Sequence, residues 1–265
     1  MGAVSRGLAI IELLSTSPGG LPLGDIAKGL DVPSSATHRL LTELAEQGYL
    51  RQSAQDGTYA LSMKMVSLTL SYLSRVDLVD LAKPSIDRLA AESGALVRLA
   101  IPDDGHLTWV LKAQGSRSNI RYDPPMDYNV QLSCSATGHA WLSTMTDDTA
   151  LETMFRQGLG REGFGPNAPR TSEEVLARVR DARRRGYASV CNSYEPGVSA
   201  LAVPIVNPEL GIATGVLSVA GPDGHMDDDT QDRLVPLMQK EAALLRSARL
   251  DYAKYLLPVR QRAGA

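Results

Sequence analysis

Pro33-Ser34-Ser35-Ala36-Thr37-His38-Arg39-Leu40-Leu41-Thr42-Glu43-Leu44-Ala45-Glu46-Gln47-Gly48-Tyr49-Leu50-Arg51 is the stretch whose reading decides the fold. Pro33 suits the first position of a helix, where a missing N–H breaks no bond. Ala36, Leu40, Leu41 and Leu44 recur at helical spacing and form an inward stripe, while Ser34, Ser35, Thr37, His38, Arg39 and Thr42 fall largely outside it. Gly48 stops the helix, Tyr49–Gln52 reads as a strand, Asp56-Gly57 signals a two-residue turn, and Thr58–Leu61 returns as a second strand.

Upstream, Leu8, Ile11 and Leu14 have helical spacing until Pro18-Gly19-Gly20 breaks it. Leu23, Ile26, Ala27 and Leu30 share one face of a short second helix, and Asp31-Val32-Pro33 turns into the third. Three helices and a hairpin make a winged helix-turn-helix over residues 1–62. The third helix of such a unit fits the major groove of double-stranded DNA, with the wing along the backbone. Thr37, His38 and Arg39 are the expected groove contacts, with Thr42 on the same face. Ser34 and Ser35 at the helix start, and Arg51 near the wing tip, suit phosphates. Residues 1–62 hold four basic and six acidic side chains, net −2, so any attraction to DNA rests on where the charges sit.

Downstream, Met63, Val66, Leu70, Leu73 and Leu78 belong to an apolar run that predicts a long linker helix over 63–82, ending at Lys83-Pro84. One small domain cannot bury so many apolar positions, which favours pairing with a second copy into a homodimer or dimer of dimers. A dimer also presents two reading helices to a two-fold operator.

Beyond Pro84, strands are expected at Leu96–Ile101 and Leu107–Ala113 around Asp103-Asp104-Gly105, and again at Tyr187–Cys191, Ala200–Val206 and Thr214–Val219. Helices are expected at Pro84–Ala91, Ala136–Met145, Asp147–Gln157, Ser172–Arg185 and from about Asp227 to Tyr255. Hairpins flanked by helices predict an α+β domain with an antiparallel sheet over 83–256, followed by a tail at 257–265. The run Arg178–Arg185 ahead of Gly186 reads as a solvated helix C-terminus, which favours cations, rather than a DNA patch.

Residues 5–62 resemble the DNA-binding half of the IclR family of transcription regulators. The resemblance is carried by Arg6-Gly7-Leu8-Ala9-Ile10, Leu23-Gly24-Asp25-Ile26-Ala27, Ser35–Leu41 and Gly48-Tyr49-Leu50, and it extends to about residue 255. It implies a GAF-like effector-binding domain whose ligand site takes two segments. One is Ser133–Ala140, with Ser135, Thr137, Gly138 and His139, where helix N–H groups would hold a carboxylate. The other gathers Asn192, Ser199, Ala200, Ser218 and Ala220. Alanine stands at 200 and 220, where family members often carry Cys and Ser, so this wall is less polar and favours a larger, partly aromatic acid over a two- or three-carbon one. Trp109, Tyr122, Met126 and Tyr128 are candidates for the apolar lining. The resemblance thus implies a regulator of a catabolic operon, responsive to a small organic acid.

Composition fits that reading without proving it. Of 265 residues, 43% are hydrophobic and 22% charged, the net charge is −3, and no run is long enough to span a membrane, so a cytoplasmic protein is expected. Cys134 and Cys191 lack the pairing of a zinc ribbon, and the four histidines lack metal-ligand spacing. No P-loop, dinucleotide or Gly-x-Ser-x-Gly signature occurs, so neither metal, cofactor nor catalytic residue is expected. The rival reading is a hydrolase with Cys134 or Ser135 as nucleophile and His139 as base, near one helix start that would activate a thiol.

Overall fold

The computed structural model describes residues 2–75, 78–118, 121–126, 129–160, 164–209 and 211–247. The chain divides into two compact units, Met1–Arg75 and Val76–Ala265.

The first unit runs α1 (Ala3–Ser15), α2 (Leu23–Gly29), α3 (Ser34–Glu46), β1 (Leu50–Gln52), β2 (Tyr59–Leu61) and α4 (Met63–Arg75). Its core joins Ile10 and Leu14 of α1, Ile26 of α2, Leu41 of α3, Leu50 and Tyr59. Leu21 pairs with Tyr59 through both backbone hydrogen bonds, which ties the loop before α2 to the wing. That approach requires glycine next door: Gly20 has φ +82°, and a Cβ there would lie 2.8 Å from the Tyr59 carbonyl oxygen.

Two details differ from expectation. Pro33 precedes α3 instead of opening it. The wing turn is also wider than two residues, because strand pairing stops at Gln52 and Tyr59 and the Ser53 N–H donates to the Thr58 carbonyl at 2.8 Å. The Asp56 carboxylate accepts from the Thr58 N–H and hydroxyl, which holds the wider loop in place of a tight turn.

The second unit begins with α5 (Leu78–Ser93) and the hairpin β3 (Leu96–Asp103) and β4 (His106–Gln114). It continues with α6 (Ala136–Leu142), α7 (Asp147–Gln157), α8 (Ser172–Arg185) and β5 (Ala188–Cys191). It closes with β6 (Val198–Asn207), β7 (Ile212–Pro222) and α9 (Asp228–Ser247). The sheet is antiparallel in the order β4-β3-β7-β6-β5. Strand alternation sorts the side chains: Ala100, Ala202 and Val216 join α6, α7 and α8 in one core, and Leu99, Leu201 and Leu217 are buried on the opposite face. Helices α5 and α9 pack on each other and on β3, β4 and β6, and they are clipped by the Arg88–Glu241 ion pair at 2.7 Å.

Sequence reading ended the linker helix at Pro84, yet α5 runs through that residue. A proline inside a helix costs about 3 kcal/mol. Leu78, Ala82, Ile86 and Leu89 are all buried on α5. At about 1.5–3 kcal/mol for each of the three large side chains, that burial outweighs the lost bond. Residues 76–77, inside the expected 63–82 helix, lie outside the described residues, as do 248–255 of the last helix and the tail 257–265. Helix α6 is shorter than predicted, because its last turn tightens where the Thr144 and Met145 N–H groups bond to the carbonyls three residues back.

Candidate functional site

On α3 the outward face presents Ser34, Ser35, His38, Arg39 and Thr42, and Arg51 is exposed on β1. The first turn carries no acidic residue and no side-chain cap, so no side chain of its own occupies its first N–H groups, beside which stand the exposed Ser34 and Ser35. The exposed acids Glu43 and Glu46 lie at the far end of the helix. Local charge placement thus favours an anion at the N-terminal half despite the acidic balance of the unit.

Thr37 corrects the predicted set. Its side chain is fully buried and its hydroxyl donates to the Pro33 and Val32 carbonyls at 3.2 and 3.4 Å. A threonine bonded back to its own helix start cannot meet a base edge. Its small polar side chain misled the reading, because the inward stripe is wider than the leucines alone.

In the second unit a recess of about 620 Å³, counting its mouth, opens between the sheet and the start of α6. The strand register builds its floor: Arg98 on β3 pairs with Ser218 on β7, and Ala220 of β7 pairs with Ala200 of β6, all on one sheet face. The Arg98 guanidinium lies 3.9 Å from the centre of the Trp109 ring, a stacked cation–π contact. The Ser218 hydroxyl is buried in the wall and has no hydrogen-bond partner among the described residues. Tyr122 closes another side. Burial, reinforced by a hydrogen bond to Glu195, pushes its phenol above the ordinary range and keeps it neutral, against the opposing pull of Arg98.

Ser135, Thr137, Ala200, Ser218 and Ala220 all border this recess, as do Trp109 and Tyr122. Gly138, His139, Asn192 and Ser199 do not border it. Gly138 is required by packing, since a Cβ there would sit 2.5 Å from the Leu132 Cα. His139 turns away: it is buried, its Nε2 lies 2.8 Å from the Ser133 carbonyl oxygen, and burial lowers its pKa to about 4. The carbonyl can only accept, so Nε2 carries a proton, and burial keeps the ring neutral. Asn192, at φ +51°, accepts from the Gly197 N–H at 2.6 Å and donates to Asp223 at 2.8 Å. Ser199 donates to the same carboxylate, so both side chains brace the β5–β6 hairpin. Met126 is exposed away from the lining, and Tyr128 lies outside the described residues.

At the start of α6 one N–H is already taken, while Ala136 and Thr137 border the recess. The Ser135 hydroxyl caps the helix, accepting from the Gly138 N–H at 2.9 Å and donating to the Gln131 carbonyl. Arg98 also brings a full positive charge to the recess, and it was not read from the sequence, nor were Gln131 and Tyr194. Its signal was present: a single charged residue at an inward position of the otherwise apolar strand Leu96–Ile101.

The hydrolase constellation does not assemble. Cys134 is buried and its thiol is pushed up to about 12 by desolvation, the reverse of an activated nucleophile. The Ser135 hydroxyl is spent on the cap, and the His139 Nε2 is held by Ser133. The basic run of α8 is largely paired: Arg180 and Arg183 hold Asp147, and Arg184 and Arg185 hold Asp181.

A winged helix-turn-helix joined to an antiparallel-sheet domain with a recess lined by polar and aromatic side chains has the parts of a DNA-binding transcription regulator with an effector domain. Residues 3–54 match the IclR helix-turn-helix domain, and residues 70–246 match the bacterial transcriptional regulator IclR C-terminal domain. The chain belongs to the IclR family. It is 27% identical over 229 residues to the transcriptional repressor IclR of Escherichia coli K12, covering 86% of this chain and 82% of that protein. It is 26% identical over 242 residues to the acetate operon repressor of Salmonella typhimurium, covering 91% and 87%. An IclR regulator from Alicyclobacillus acidocaldarius shares the fold, with a TM-score of 0.80, 22% identity and 92% and 97% coverage. So does an IclR homologue from Microbacterium hydrocarbonoxydans, solved with 4-hydroxybenzoate, with a TM-score of 0.76, 20% identity and 93% and 98% coverage. Among the described residues no helix is long and apolar enough to cross a membrane.

Proposed function

We propose that this chain is a cytoplasmic repressor of a catabolic operon, displaced from its operator when an aromatic carboxylate enters the recess of the second unit. Repression follows the relatives named as repressors. The effector class rests above all on Arg98 stacked on Trp109 beside the partnerless Ser218 hydroxyl. A guanidinium and a hydroxyl suit the two oxygens of a carboxylate, and Trp109, Tyr122, Val190 and Ala200 suit a flat apolar body. The 4-hydroxybenzoate bound by the Microbacterium homologue supports the same class. At the operator, Arg39 and His38 read base edges while Ser34, Ser35, Thr42 and Arg51 position the helix on the backbone. The chain works as a homodimer or dimer of dimers, with segment 63–82 linking the DNA-binding domain of 1–62 to the effector domain of 83–256.

The test is gel retardation of the chain's own upstream DNA with a panel of benzoates. Retardation should be relieved by at least one aromatic acid, and Arg98→Gln should still bind DNA but lose the relief. No preference for that DNA over random duplex, with or without acids, would overturn the reading.

A further inference from the structure

Behind the wall formed by Tyr122 and Ala220 lies a second recess of about 800 Å³, counting its mouth. Arg117, Arg121 and Arg233 line it, and no aspartate or glutamate does so among the described residues. Ser93, Ser116 and Thr230 add neutral hydrogen-bonding groups. Two neighbouring carboxylates, Asp123 and Asp227, are each shared with other groups. Asp123 is held by the Lys112 Nζ at 3.0 Å and reaches Arg121 only at 3.8 Å. Asp227 accepts from the Thr230 N–H at 2.9 Å, capping the start of α9. Arg233 donates to the Glu92 carbonyl at 3.4 Å and lies near enough to Asp227 to help the Thr230 hydrogen bonds hold that carboxyl below its ordinary range. On α8, by contrast, four arginines are paired with acids.

Three guanidiniums line one concave surface against two nearby carboxylates, Asp123, which is shared with Lys112, and Asp227, and the surplus leaves a net positive field that a multiply charged anion neutralises through forked hydrogen bonds. We infer that this recess is a second ligand site, separate from the aromatic-acid recess, for a compact anion carrying two or more negative charges. A polycarboxylate and a phosphate compound share that chemistry. Because Tyr122 and Ala220 border both recesses, an occupant of one touches the wall of the other.

The experiment is isothermal titration calorimetry of the full chain with citrate and with pyrophosphate, using acetate as the singly charged control. Citrate, pyrophosphate or both should bind with acetate silent, and the one that binds assigns the carboxylate or phosphate source. The double variant Arg121→Gln/Arg233→Gln should bind the active probe at least tenfold more weakly, and Arg117→Gln several-fold more weakly, each with an unchanged far-ultraviolet circular dichroism spectrum. Arg98→Gln should bind it like the unaltered chain. Silence of both probes, or equal affinity in the arginine variants, would overturn the inference. So would loss of binding in Arg98→Gln, which would put the probe in the aromatic-acid recess. No operator DNA enters the measurement, so failure of the repressor reading would leave it standing.

Discussion

His139 illustrates how burial sets the chemistry of one side chain. The sequence offered it as a ligand or a base, yet its neutral ring donates from Nε2 to Ser133 inside the effector domain. Its pKa falls from the ordinary 6.5 to about 4 because desolvation disfavours the imidazolium. The unfolded chain therefore binds the proton more readily than the native one. The stabilisation is complete above about pH 6.5 and drains away as the pH falls toward 4, amounting to about 3 kcal/mol by linkage. Urea denaturation at stepped pH should show that loss, and His139→Gln, which keeps an N–H donor but does not titrate, should flatten it. An equal slope in the variant would sink the account. Residue roles were legible where type and direction agreed: Ser218 and Ala220 point the same way because strand period fixes it, and both border the recess. Thr37, Asn192 and Ser199 were misread for one reason. Short polar side chains serve local backbone and loop bonds as readily as ligands, and sequence alone does not separate the two uses.

At the scale of elements, periodicity located nearly every helix and strand, and α7 and α8 fall on their expected bounds. The misses have two causes: tertiary burial carried α5 through Pro84, and local bonds from Thr58 to Asp56 widened the wing turn. Helix α4 poses a different problem. None of its residues is buried, and Met63, Val66 and Leu70 stand exposed at 74%, 44% and 60% along one face. A helix this apolar and this bare is marginal alone, because most helical stability comes from packing an apolar face. The homodimer proposed above would cover this face. Val66→Glu/Leu70→Glu should therefore shift the sedimentation mass from dimer toward monomer and weaken operator binding about tenfold or more, since single half-sites lose the bivalent gain. A double variant that sediments like the unaltered chain would exclude α4 as the pairing element.

For the whole molecule, the division into two compact units matters to regulation only if occupancy of one alters the other. The sequence made the division of labour visible, since apolar period switches from helical to strand-like beyond Pro84, but not the cation of the effector recess, which depends on Arg98, Trp109 and Ser218 being brought together from three strands. Coupling between DNA and effector is a free energy shared by both ligands, so it must act in both directions. If an aromatic acid weakens operator affinity by a factor of about 10–100, that is about 1.4–2.7 kcal/mol, then operator DNA must weaken acid affinity by the same factor. Titrating the acid against free protein and against protein saturated with operator, by calorimetry, should return matching ratios. Arg98→Gln should remove the effect in both directions because the acid no longer binds. An acid that binds DNA-free and DNA-bound protein equally, yet still relieves retardation, would mean that relief does not run through the Arg98 recess.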